Sequence, residues 1–147
     1  MTGPAASTRL LVVEREMPHP PEKVWRPLTE GPLLEQWLMK NDFRPVVGHR
    51  FHFRAEPRPK WDGVTDCEVL EVEPLRRLSY RWCSSGDEAA DGLNTIVNWT
   101  LTPTERGVLL RLEHSGFRPE DEGFFQGAGH GWPRMVENLE KVAAGLE

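Results

Sequence analysis

Gly131-Trp132-Pro133-Arg134-Met135-Val136-Glu137-Asn138-Leu139-Glu140-Lys141-Val142-Ala143-Ala144-Gly145-Leu146 is the stretch on which the fold turns. Trp132, Met135, Leu139, Val142 and Leu146 recur at spacings of three and four, and Val136 and Ala143 widen the stripe. Arg134, Glu137, Glu140 and Lys141 fall mostly on the opposite side, so the pattern predicts one apolar helical face of about four turns. A single amphipathic helix cannot bury that face alone. It must lie on something, and the chain ahead of it reads mainly as strands. The expectation is therefore α+β, a curved antiparallel sheet of about six or seven strands wrapped around this C-terminal helix.

Working back from the helix, Ser115 to Gly131 reads as a Gly-rich, acidic connection with a helical turn or two near 119–127. Gly127-Ala128-Gly129-His130-Gly131 is expected to be a flexible hinge over a cavity mouth, with Pro133 starting or kinking the final helix. It lacks the Gly-x-Gly-x-x-Gly spacing of a phosphate loop. Val108, Leu110, Leu112 and His114 alternate after a turn at Thr104–Gly107, as do Thr95, Val97, Trp99 and Leu101 before it, predicting a hairpin. Leu78–Trp82 alternates as well. Trp61 to Glu73 reads as a long strand whose apolar phase slips between Cys67/Val69 and Leu70/Val72, the signature of a bulge. Gly48 to Ala55 places Phe51 and Phe53, with His49 in phase, on one face. Arg9 to Met17 reads as a strand with one wet face. Two short helices follow that first strand, at about Pro21–Leu28 and Leu33–Leu38.

The chain of 147 residues is expected to be one domain over 9–147 behind a frayed N-terminus, 1–8. A net charge of −5 offers no footprint for nucleic acid. No apolar run reaches the length of a membrane span, and no secretory signal is visible at the N-terminus. Two cysteines do not make a disulfide framework, and the expected location is cytoplasmic. Were the turn after Glu73 symmetric about Leu75, Cys67 would sit opposite Cys83; a bulge would break that register.

Seven short motifs stand in a telling order: Pro21–Trp25 (Pro-x-x-Val-Trp), Leu34–Trp37, Gly48–Phe53, Val69–Pro74, Leu78–Trp82, Leu112–Phe117 and Gly131–Leu139. Together they resemble the SRPBCC (START-like, helix-grip) superfamily, and more narrowly the homologues of the 90-kDa heat-shock-protein ATPase activator. The resemblance implies the helix-grip fold over residues 9–146. Its members bind lipids, sterols, hormones and polyketides, and some catalyse cyclisation, aromatisation or hydrolysis in the same cavity. Two positions depart from the pattern: His49 replaces a frequent glycine, and Pro133 follows the Gly-Trp pair.

Alternation points Phe51, Phe53, Tyr80, Trp82, Val97, Trp99 and Leu112 inward, joined by Trp132, Met135 and Leu139 from the helix. Trp25, Trp37 and Trp61 could close the ends. These side chains either fill the core or line a cavity for a small apolar or aromatic molecule. His49 and His114, both in phase with an inward face, could offer a polar contact, or serve with Tyr80 as acid or base in a cyclase- or hydrolase-type alternative. No His-Glu-x-x-His motif or nucleophile elbow is present, and neither metal nor cofactor is expected. A homodimer and a chaperone-linked interaction module stay open as alternatives.

Overall fold

The computed structural model describes residues 8–58, 61–86 and 92–146. The expected frayed end thus lies outside them except for Thr8, as do residues 87–91 of the polar loop after Ser84. Seven strands form one antiparallel sheet in the order β1-β7-β6-β5-β4-β3-β2. They are β1 (Arg9–Met17), β2 (Lys40–Asn41), β3 (Arg50–Arg54), β4 (Val64–Glu73), β5 (Arg77–Ser84), β6 (Asn94–Pro103) and β7 (Val108–Phe117). Helices α1 (Pro21–Thr29) and α2 (Gly31–Trp37) follow β1, and α3 (Glu122–Ala144) ends the fold. This is the helix-grip arrangement, α+β. Among the described residues, no helix is long and apolar enough to cross a membrane.

Side-chain alternation explains which face of the sheet grips α3. On β6, Thr95, Val97, Trp99 and Leu101 are buried while Asn94 and Ile96 are exposed; on β7, Val108, Leu110, Leu112 and His114 are buried. Two bulges then adjust this pattern. On β4 the register with β5 jumps between Val69 and Glu71, leaving Leu70 as the extra residue. That slip pairs Cys67 with Trp82 and Asp66 with Cys83, so the Cys67–Cys83 register is overturned and both thiols are free. On β7 the partners of Arg9 and Leu10 are Phe117 and Ser115, so Gly116 is extra, with φ +98°. Glycine tolerates that dihedral. The inserted residue resets the alternation, so Phe117 joins His114 on the inner face, their rings 4.5 Å apart.

The C-terminal helix is longer than its apolar stripe. The stretch expected to be a connection and hinge is helical: α3 begins at Glu122, straight after a 3-10 turn at Pro119–Asp121, and runs through all four glycines of 123–131. Pro133 lies well inside it and removes the amide that would bond the Gly129 carbonyl. Propensity opposes this helix, since each glycine costs about 1 kcal/mol relative to alanine. Tertiary contacts hold it instead. Trp132, Val136, Leu139 and Ala143 are buried against the sheet and the two short helices. Burying a large apolar side chain contributes about 1.5–3 kcal/mol, enough to outweigh the glycine penalty. Arg9 on β1 pairs with Glu122 and lies 3.8 Å from the centre of the Phe125 ring, while Arg15 pairs with Glu140. The Asp121 carboxylate takes two hydrogen bonds from the Arg118 guanidinium, which also donates to the Gly92 carbonyl at 2.9 Å. That pairing holds the Asp121 pKa below the usual carboxylate range and ties the start of α3 to the end of the β5–β6 loop.

Candidate functional site

One end of the space between sheet and α3 is left open, as a cavity of about 360 Å³. Its floor is Thr65 of β4, Trp82 to Ser84 of β5, and His114 and Phe117 of β7. Leu38 and Met39, which follow α2, and Leu93 form its sides, with Arg58 and Trp61 from the arm between β3 and β4. The arm is held in shape by two backbone hydrogen bonds exchanged between Arg58 and Trp61, both 2.9 Å. The Trp61 indole donates to the Val64 carbonyl at 3.0 Å, which fixes the ring against the start of β4.

The roof is the first half of α3, where three glycines alternate with residues that carry side chains. Gly123, Gly127 and Gly131 line the cavity at intervals of four, with Phe124 and Ala128 between them and Trp132 and Met135 behind. A Cβ added to any of the three glycines would meet nothing within 4 Å. Gly129, by contrast, faces β1, where its Cβ would lie 3.9 Å from Leu11. The same i+4 ladder continues through Met135, Leu139 and Ala143, of which Leu139 and Ala143 are fully buried. Along this one ladder the helix carries no side chain at the cavity end and a packed row at the other, with Phe124 and Ala128 flanking the glycines.

His114 shows what polar chemistry the floor can offer. The Trp132 indole, a donor only, gives its proton to His114 Nδ1 at 3.0 Å. Thr95 Oγ1 donates to the Trp82 carbonyl at 2.7 Å, so it accepts from His114 Nε2 at 2.8 Å. The imidazole is therefore the neutral Nε2–H tautomer with both nitrogens occupied. Burial pushes its pKa down to about 3. It braces Trp132 against β6 and has no nitrogen left for a ligand or a proton transfer.

The other expected site residues divide sharply. Trp82, His114, Trp132 and Met135 line the cavity, as does Trp61 among the end-closing tryptophans. Phe51, Phe53, Tyr80, Val97, Trp99, Leu112 and Leu139 are each at most 1 % exposed and fill the packed core beyond the cavity, with Phe53 and Val97 abutting its floor at Trp82 and His114. Tyr80 accepts a hydrogen bond from the Trp99 indole at 3.0 Å, and burial drives its pKa far upward, so it titrates nowhere near neutrality. Trp37 belongs to this packed end too, edge-on to Trp99 and donating to the Pro27 carbonyl at 2.8 Å. Trp25 packs half-buried against the same core. His49 lies outside the cavity: its Nε2 donates to the Asp42 carbonyl at 2.9 Å, and its ring stacks parallel to Phe51. Its strand phase is inward, but it precedes β3, where the chain turns at Gly48 with φ +89°.

Sequence reading missed several lining residues, among them Arg58, Thr65, Cys83, Phe117, Gly123 and Phe124, and it placed Gly127 and Gly131 over the cavity mouth as a hinge where the structure has a helix. For the glycines the spacing of four was present, hidden because so much glycine reads as a loop. Among the described residues, no cluster of three or more His, Cys, Asp or Glu side chains is placed to hold a metal ion.

Residues 18–144 match the family described as Activator of Hsp90 ATPase homolog 1-like protein. The chain belongs to that family. Protein MLL2253 from Mesorhizobium loti is 50% identical, with a TM-score of 0.86 over 95% of this chain and 99% of that one. DynU16, a protein in the dynemicin biosynthetic locus, is 26% identical with a TM-score of 0.75. That match covers 92% of this chain and 47% of DynU16, so the chain spans about half the length of that relative. The Aha1 dimer from Colwellia psychrerythraea is 20% identical, TM-score 0.76, over 92% of this chain and 96% of the other, a likeness of fold. A search of curated proteins found no match. The Activator of Hsp90 ATPase homolog 1-like fold absorbs both local departures of this chain, His49 at the entrance to β3 and Pro133 within α3.

Proposed function

We propose that this protein binds a small apolar or aromatic molecule in the cavity between the sheet and the first half of α3. The glycine roof carries the reading. Alanine at Gly123, Gly127 and Gly131 would strengthen the helix by about 1 kcal/mol per position, and nothing nearby would obstruct its methyl group. Gly123 and Gly127 are exposed at the cavity mouth, and Gly131 lies half-buried behind them. Glycine at all three opposes helix stability while leaving that mouth unobstructed, which fits a space kept for an occupant. The volume suits a small ligand, and aromatic walls from Trp61, Trp82, Phe117 and Trp132 suit a ring system. A relative encoded in the dynemicin biosynthetic locus favours a small-molecule role over a chaperone partner.

The cyclase- or hydrolase-type alternative has less support. Tyr80 is enclosed in the core, His49 lies elsewhere, and both nitrogens of His114 are occupied. Native mass spectrometry paired with a thermal-shift screen of small aromatic, fatty-acid and polyketide-like compounds tests the binding reading. A co-purifying molecule, or a dose-dependent rise in melting temperature that disappears in Gly127→Leu, is the expected result. No shift with any compound class would move the function to the outer face, where Leu10, Val12 and Ile96 are exposed and Leu10 and Ile96 both pair with Ser115. That face would then be the surface for a second copy or another protein.

A further inference from the structure

We infer that the ligand carries an anionic group, a carboxylate or phenolate at the end of its apolar body, which pairs with Arg58 at the cavity mouth. The inference rests on the binding reading above and adds the ligand's charge to it. The chain holds 23 acidic residues against 18 basic ones, yet no Asp or Glu lines the cavity among the described residues. With His114 held neutral, Arg58 is the one lining side chain among the described residues that carries charge.

Its surroundings leave that charge available. The acidic chain pairs many arginines: Arg9 with Glu122, Arg15 with Glu140, Arg111 with Glu14 and Glu113. Arg58 is in no ion pair among the described residues, and its side chain is exposed at the rim. Paired backbone hydrogen bonds with Trp61 hold its main chain beside that tryptophan at the rim. Two of the deeper polar side chains, His114 and Ser84, already have partners within the fold. His114 is bonded at both nitrogens, and Ser84 Oγ accepts from the Leu93 amide at 2.8 Å. A ligand therefore meets apolar and aromatic surface inside and a planar, always-charged donor at the mouth, the geometry a carboxylate matches in two-pronged fashion. A cationic ligand would meet repulsion there, with no carboxylate among the described lining residues to offset it.

Naphthoate and naphthamide, alike in shape and different in charge, are suitable probes. Binding is read by quenching of the tryptophan fluorescence, for the wild type and for Arg58→Ala and Arg58→Lys. The wild type should prefer naphthoate by about fivefold at low salt, the size expected of a partly exposed ion pair. The preference should shrink with added salt, vanish in Arg58→Ala and largely survive in Arg58→Lys. Naphthamide affinity should be the same in all three proteins. Equal binding of both probes by the wild type, or a preference that persists in Arg58→Ala, would overturn the anionic assignment while leaving the cavity reading intact. Binding of neither probe would remove both.

Discussion

The two halves of the sheet–helix interface are built from the same materials to opposite ends. At the closed end, Trp99, Tyr80, Phe51 and Phe53 pack edge-to-face and tilted, with Trp37 against Trp99 and Leu139 pressed down from α3. At the open end, Trp82, Trp132, His114 and Phe117 are equally aromatic, but the helix above them presents Gly123, Gly127 and Gly131. The difference lies in the roof. Aromatic residues facing inward do not distinguish core from cavity; what the opposing element brings to meet them does. Trp132 stands at the boundary, edge-on to Trp99 on one side and tilted against Trp82 on the other.

If the closed end is purely structural, truncating it should cost stability directly. Trp99→Ala removes a fully buried indole and strips the Tyr80 hydroxyl of its donor. It should destabilise the fold by about 3–5 kcal/mol, read by urea denaturation. A loss below about 1 kcal/mol would mean that this end is not close-packed, and the contrast would collapse.

The boundary can be tested through pH. His114 has its folded pKa lowered from 6.5 to about 3, so between those values the unfolded chain binds a proton that the folded chain refuses. Its contribution is flat above pH 6.5; stability then falls by up to about 1.4 kcal/mol per pH unit on acidification toward the folded value. Most carboxylates titrate below the first part of that window. A denaturation series from pH 7 to 5 should slope in the wild type, and the slope should flatten in His114→Gln even though that variant starts less stable. An unchanged slope in the variant would show that His114 is not held neutral in the folded protein.

The smallest expected effect is also the sharpest test of the open end. Gly127→Ala should raise stability by about 1 kcal/mol, through helix propensity alone, and lower the affinity for an aromatic probe. A rise in melting temperature with weakened binding marks the roof as space kept for a ligand. If Gly127→Ala lowers the melting temperature, the roof is not open at that position, and the contrast between the two ends would lose its cause.

Much of the fold was legible because its signals are local. Alternation marked β1 and β5 to β7, the phase slip at Leu70 announced the β4 bulge, and the Trp132–Leu146 stripe marked a helix that needed a partner. The start of α3 was hidden because glycine at 123, 127, 129 and 131 argues for a loop by propensity, and tertiary anchors at Arg9 and Asp121 prevail over it. The short β2, paired with β3, had too few residues to show a period.

By itself, the sequence determined the fold class, the inward set of aromatic residues and the family, because periodicity and motif order belong to the chain. Which inward residues enclose a space and which fill one was decided by the tertiary structure. Gly116 turns Phe117 inward, the arm carries Arg58 and Trp61 to the rim, and α3 lays three bare glycines over Trp82 and His114. A cavity is a relation among elements distant in the chain, made by where their atoms stop. No periodicity along one strand or helix encodes it.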